Sequence, residues 1–419
     1  MSLIIKGGKI YIGNEFVKRD LVITDDDIFA IDGNQDYVLH LDHGKIFEKK
    51  TNFINNSKPR VICLDNSFIL PSFSDVHIHF REPGYEYKET IKTGSMAAAR
   101  GGYTSVCTMP NLKPAPSDLK SLKMQLDIIN RDSIIDIYPY GAITKNQSGR
   151  GLLSDIQGMQ NKVIAYTDDG FGLQKGELME EAMKIAKSLN KMIVAHCEDE
   201  ELLNKGYIRE SEWKQIERDV NLSYKTGCKY HVCHISTKES VEIIRDAKKS
   251  GVDVSCETAP HYLLLSEDMI DCRLGSYKMN PPIKTEKDRI ALIKGINDGT
   301  IEIIATDHAP HSENEKNLGF KDSLNGIVGL EVAFPALYTR LVKKGEIEFD
   351  RLIEVMSENP RKRFGLNDKG LTIVDLNNKY EIDSSKFLSK GTSTPFDKSL
   401  VYGETLLTIL RGKIVYEKR

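Results

Sequence analysis

Eight continuous apolar runs, separated by amphipathic stretches, constrain this chain more than any other feature. They are FILPSFSDVHIHF, YTSVCTMPN, IIDIYPYGAI, KVIAYTDDG, MIVAHCE, YHVCHIS, VDVSCETAP and IEIIATDHAP. Intervening segments such as LMEEAMKIAKSLN, KESVEIIRDAKKSG and EKDRIALIKGINDG repeat apolar residues at i, i+3 and i+4, the spacing of one helix face. Runs that are apolar throughout suit strands covered on both sides. Eight-fold alternation of strand and helix predicts an α/β fold, a parallel (β/α)8 barrel of the TIM type. The alternative is a doubly wound open sheet, but no glycine-rich phosphate loop follows the first strand.

The two ends read differently. LIIKGGKIYIG, FVKRDLVITDDDIFAI and VICLDNSFILP at the start, with KYEI and LVYGETLLTILRGKIVYE at the end, have strand character. They predict a small composite β domain, residues 1–66 with 366–419, around a barrel of residues 67–365. Residues 43–60 are polar and without periodicity and read as a surface insertion. Lys and Arg total 58 against 61 Asp and Glu, so no basic field draws nucleic acid or an anionic membrane, and a small molecule is the expected partner. No run of about 18 apolar residues occurs, and the opening apolar stretch is too short for a signal peptide. A cytoplasmic location is expected. Seven cysteines without a C-x-x-C pair suit reduced thiols.

The polar residues that finish the runs carry the chemistry. Eight of the ten histidines lie in or just past them, and the C-terminal strand ends of a barrel surround its active site. His77 and His79 share a strand face at a spacing of two. With His196, His234 and Asp307 at later run ends they form a donor set that suits zinc or another borderline metal. Ligands spread from position 77 to 307 form a cleft rather than a structural knuckle. Asp168 and Asp169 close the run that Lys162 opens. Lys162 lies about 23 Å from Asp169 along an extended strand at about 3.3 Å per residue, so only one end of the run reaches the rim. Asp169 is the expected bridging carboxylate, Asp168 the alternative, and Lys162 a solvated strand-start residue. His231 and His261 read as core groups or as supports behind a ligand. Cys197 and Cys233, each beside a ligand histidine, are expected to face the other side of their strands.

The set DVHIHFREPG, TMPN, TDDG, AHCEDE, HVCHIST, MNPPIK, TDHAPH and GIVGLE, with STPFD near the end, resembles the dihydroorotases of the amidohydrolase superfamily over about residues 68–415. The likeness is to the class whose metals are bridged by the aspartate of a TDDG motif. It implies two zinc ions per chain, one on His77, His79 and Asp307, the other on His196 and His234, with Asp169 between them. Arg81, Asn111, Asn280 and His311 match positions that hold substrate. The implied reaction is the reversible cyclisation of N-carbamoyl-L-aspartate to (S)-dihydroorotate in pyrimidine synthesis. A hydroxide shared by the metals attacks the ring amide, and Asp307 is the general acid and base. A homodimer and an association with aspartate transcarbamoylase are the macromolecular partners the resemblance raises. Competing readings are a hydantoinase or allantoinase, which generally carries a bridging lysine, and an inactive paralogue that partners aspartate transcarbamoylase. Ser72 replaces a usual glycine, STPF stands where N-T-P-F is frequent, and the stretch between His196 and His234 is short.

Overall fold

A computed structural model describes residues 3–24, 28–32, 35–42, 45–51, 60–64, 67–367 and 369–418. Seven regular strands follow the barrel runs: β1 (Phe73–Ile78), β2 (Tyr103–Thr108), β3 (Asp136–Pro139), β4 (Met192–Ala195), β5 (Lys229–Val232), β6 (Val254–Thr258) and β7 (Ile303–Ile304). All their pairings are parallel, β1–β2–β3 in one arc and β4–β5–β6–β7 in the other. Two seams close the ring. Tyr166 of the fourth run bridges Gly141 on one side and Ile193 on the other, and Ile78 bridges His308.

That fourth run forms no regular strand, contrary to expectation. It still supplies ladder hydrogen bonds to both neighbours, Ile164 N to Pro139 O at 3.0 Å and Val194 N to Tyr166 O at 2.9 Å. Its first residues belong to a turn, with Lys162 N donating to Met159 O. The first run also divides. Phe68–Pro71 pairs with Gly370–Asp375 in another sheet, and the chain changes sheets where Ser72 N donates to Gly370 O and Phe73 N to Gly102 O.

Strands from both ends share a six-stranded sheet in the order Lys413–Glu417, Glu404–Leu410, Gly370–Asp375, Phe68–Pro71, Lys9–Ile12, Glu15–Lys18. A second six-stranded sheet is built wholly from residues 3–63. Leu3, Ile5, Leu21 and Ile23 of that sheet meet Ile10, Ile69, Leu371 and Ile373 of the shared one in one apolar cluster. Burying each such side chain contributes about 1.5–3 kcal/mol, which is why alternating strands at opposite chain ends find one another. Two expectations change here. Lys45–Thr51, inside the supposed surface insertion, is a strand paired with Gln35–Asp42, while residues 43–44 and 52–59 lie outside the described residues. Tyr380–Glu381 of KYEI pairs instead with Leu400–Val401 in a separate ribbon, which Lys398 N and Ile382 N extend.

Candidate active site

The C-terminal ends of the barrel strands converge on Asp169. Its Oδ1 lies 3.3 Å from His77 Nε2, 3.4 Å from His234 Nε2 and 3.8 Å from His196 Nδ1, and its Oδ2 lies 3.6 Å from His79 Nε2. Asp307 Oδ1 stands 3.1 Å from His79 Nε2 and 3.5 Å from His77 Nε2. All six side chains are buried. Two of them, His234 at φ +32° and Asp307 at φ +49°, hold left-handed backbone, as residues pinned at functional sites often do.

The hydrogen bonds behind the ligands define the imidazole tautomers. His77 Nδ1 is 2.5 Å from Glu257 Oε1, a carboxylate that can only accept, so Nδ1 carries the proton. His79 Nδ1 donates to Asn111 Oδ1 at 2.5 Å, because the Asn111 amide nitrogen is turned to Asp169 O at 2.6 Å. In both histidines the Nε2 lone pair therefore faces a carboxylate oxygen. Acceptor opposing acceptor is repulsive unless a positive charge lies between them. Burial works against charge on His77, yet Asp169, Asp307 and Glu257 raise its pKa well above the ordinary value, so with no cation between them a second proton would occupy the Nε2 lone pair that a metal ion would otherwise take. The same histidines keep Asp169 well below the usual carboxylate range despite its burial. His77 Nε2, Asp169 Oδ1 and His234 Nδ1 are buried without a hydrogen bond. Among the described residues, the triads His77–His234–Asp307 and Asp169–His196–His234 each bring donor atoms within 4.8 Å of one another. Imidazole and carboxylate donors at that spacing fit divalent metal ions.

Glu257 is the largest omission of the sequence reading. It is the penultimate residue of β6, is fully buried, and its second oxygen lies 3.1 Å from His231 Nε2, whose Nδ1 is 2.7 Å from Ser255 Oγ. Burial would raise this carboxyl, but His77 and His231 bring it down to about 2. His231 thus supports a ligand from behind, as expected. The available signal was a charged residue inside an otherwise apolar run. Glu198 was also missed; it lies 3.8 Å from His196 Nε2 and accepts from Asn280 Nδ2 at 2.9 Å.

Asp168 turns away from the cluster and accepts from Ile143 N at 2.8 Å and Thr144 N at 3.0 Å. Lys162 is exposed. Cys197 packs against Tyr230 Oη at 3.3 Å, on the far side as expected. Cys233 does not follow: its thiol groups with His77 and Asp169 within 4.8 Å, because it shares the inward face with His231 two residues before it, and it is the left-handed backbone at His234 that lets the next residue face the site as well. His261 is buried, its Nε2 without a hydrogen bond, and burial lowers its pKa to about 4.

A cavity of about 240 Å³ opens onto these groups, walled by Arg81, Asn111, Asn280, His311 and Asn325. Arg81 Nε donates to Pro310 O at 3.3 Å. Its neighbour Glu82 accepts instead from Ile91 N at 2.8 Å, the start of a helix. His311 is held between Lys88 Nζ at 3.1 Å and Asn325 O at 2.8 Å, and burial with the cations Arg81 and Lys88 keeps its imidazole neutral. The loop beyond is tied down by Lys316, whose ammonium donates to Leu324 O at 2.8 Å and Gly326 O at 2.7 Å.

A family model described as dihydro-orotase-like matches residues 66–240. A dihydroorotase of Fusobacterium nucleatum is 43% identical, the match covering 99% of this chain and 98% of that protein. One from Macrococcus caseolyticus is 41% identical over 100% and 99% of the two chains. Among solved structures, an L-hydantoinase (dihydropyrimidinase) from Arthrobacter aurescens superposes with a TM-score of 0.83 at 24% identity, covering 99% of this chain and 96% of that one. That likeness is one of fold: a TIM barrel with an appended β domain.

Proposed function

The chain belongs to the dihydroorotase family of the amidohydrolase superfamily, and from that premise we propose that it interconverts N-carbamoyl-L-aspartate and (S)-dihydroorotate with two zinc ions. The observation that carries the metal is the pair of imidazole lone pairs, on His77 and His79, turned toward the carboxylates of Asp169 and Asp307. His77, His79, Asp169, His196, His234 and Asp307 would hold the ions. When bound, they would supply a water that ionises near neutral pH and a polarised amide carbonyl.

The protein's own part is to orient and to move a proton. Asp307 takes the proton of the attacking hydroxide as its oxygen bonds to the ring carbonyl carbon, and returns it to the ring nitrogen as the C–N bond breaks. In the cyclising direction the same carboxylate removes the proton from the carbamoyl nitrogen. Arg81, with its guanidinium fixed by Pro310 O, takes the substrate carboxylate through charge-assisted hydrogen bonds. Asn111, Asn280 and His311 wall the same cavity and supply neutral polar contacts to the ring. Lys162 is exposed, so it gives no support to a bridging lysine of the hydantoinase kind.

The reading extends to the division of the chain into a composite β unit, 1–66 with 366–419, and a barrel unit, 67–365. A homodimer and association with aspartate transcarbamoylase rest on the resemblance, and a cytoplasmic location on the lack of a long apolar run in the sequence. No described helix is long and apolar enough to cross a membrane. The test is elemental analysis of protein purified without chelators, beside rates with dihydroorotate, carbamoyl-aspartate and hydantoin. About two zinc ions per chain and a preference for dihydroorotate over hydantoin are expected. A metal-free chain that still opens dihydroorotate would sink the metal assignment, and faster opening of hydantoin would sink the substrate.

A further inference from the structure

Asp307 holds its left-handed backbone between two buried anchors. On one side Thr306 N donates to both oxygens of Asp75, at 3.2 and 3.1 Å. On the other stands His308, fully buried, at the seam where the barrel closes. Its N–H donates to Thr306 Oγ1 at 3.1 Å and its carbonyl accepts from His79 N at 2.9 Å. Its ring Nδ1 accepts from Gly329 N at 3.2 Å and Leu330 N at 3.5 Å. A ring nitrogen that accepts from amides carries no proton, so the proton of the neutral ring is on Nε2. Nε2 faces Ser389 Oγ at 3.5 Å and Glu89 Oε2 at 3.6 Å, and the Ser389 hydroxyl donates to that same Glu89 oxygen.

Glu89 is fully buried. One of its oxygens accepts from Thr90 N at 3.2 Å and the Thr93 hydroxyl at the start of the helix Ile91–Arg100, and from Lys390 N at 3.3 Å. Helix capping accounts for the Thr90 and Thr93 contacts only; the other oxygen is aimed at His308 and Ser389, groups more than 200 residues away in sequence. Ser389 is itself fixed, its N–H donating at 3.1 Å to Glu331, which pairs with Arg100 at 3.0 Å. We propose that Glu89, acting through His308 and Ser389, is a positioning residue for the reaction: it locks the His308 ring and so holds the adjoining Asp307 carboxylate in its direction toward His77 and His79. Glu89 touches neither the substrate cavity nor a ligand. The proposal rests on Asp307 as proton carrier, and the experiment separates the two.

Glu89→Gln keeps the shape and replaces one accepting oxygen with a donor. Expected are bound metal and KM near those of the parent enzyme and a kcat lowered about 10-fold or more, because misdirection of a proton carrier acts on the transition state. Ser389→Ala should lower kcat in the same way by a few-fold, and it decides the matter if Glu89→Gln does not fold. An unchanged kcat, or a fall that follows lost metal, overturns the proposal. Asp307→Asn is measured beside them, alone and combined with Glu89→Gln. If Glu89 works through Asp307, the combined variant loses nothing beyond Asp307→Asn, and additive losses overturn the link. Near-parental rates for Asp307→Asn with full metal would instead overturn the proton-carrier reading.

Discussion

The two ends of the barrel each bury a polar cluster, and they differ in how that cluster is satisfied. At the floor, Arg361 is fully buried, yet its terminal nitrogens meet Ser357 O at 3.0 Å, Ser357 Oγ at 2.7 Å and Ser72 Oγ at 2.9 Å. Ser72 also bonds Thr104 Oγ1 at 2.5 Å, so the serine that replaces a usual glycine is part of this knot. At the rim, His77 Nε2, Asp169 Oδ1 and His234 Nδ1 are as deeply buried and have no hydrogen bond. An unsatisfied buried polar group costs about 1–3 kcal/mol, so a folded chain keeps several together only where something else meets them. Burial and polarity alone do not mark a site; buried atoms such as His77 Nε2 and Asp169 Oδ1, which face one another at 3.3 Å without a hydrogen bond, do.

Three substitutions would break or sharpen this contrast. The largest effect is expected at the rim. Asp307→Asn should lose about 10²- to 10⁴-fold in rate, in both reaction directions alike, while thermal stability and bound metal change little. Forward and reverse rates with metal content check it, and rates within a factor of two of the parent would leave Asp307 a ligand only. At the floor the pattern should invert. Arg361→Met leaves the Ser357, Ser72 and Phe73 acceptors short of a donor and should cost about 3 kcal/mol of stability. Turnover per metal-loaded folded molecule should stay within about twofold. Denaturant midpoints beside specific activity would reveal a different outcome, and a selective loss of kcat would erase the distinction between the ends. The smallest effect is expected one step behind the rim. Glu257→Gln weakens the hold on His77 Nδ1 and should reduce metal affinity about 10- to 100-fold, seen as earlier loss of zinc in a chelator titration. An unchanged titration would place the orientation of His77 elsewhere.

Much of this site was legible in the chain. Ligand-type residues at the ends of apolar runs led to the barrel rim because a parallel barrel gathers those ends, however far apart they lie in sequence. The spacing of His77 and His79 already put both rings on one face. The supports were harder to see. Glu257 lies 180 residues from His77 and Glu89 lies 219 from His308, and no local periodicity relates such pairs. The fourth run illustrates the same limit, for its apolar character was plain, but its first residue is held in the turn at Met159–Lys162 and the run makes only isolated bridges at Tyr166.

The sequence by itself determined the eight-fold alternation, the β character of both ends, and a donor set of imidazoles and carboxylates suited to a divalent metal. Tertiary structure decided which of two adjacent aspartates meets the histidines, turning Asp169 inward and leaving Asp168 to Thr144. It also brought Cys233 toward His77, gave His77 its Glu257 and put His308 against Glu89. The reason is physical. Periodicity states which side chains share a face, but not which face looks inward, and a left-handed residue such as His234 resets the count. Partners across a closed barrel are chosen by the closure itself, which no stretch of chain encodes alone.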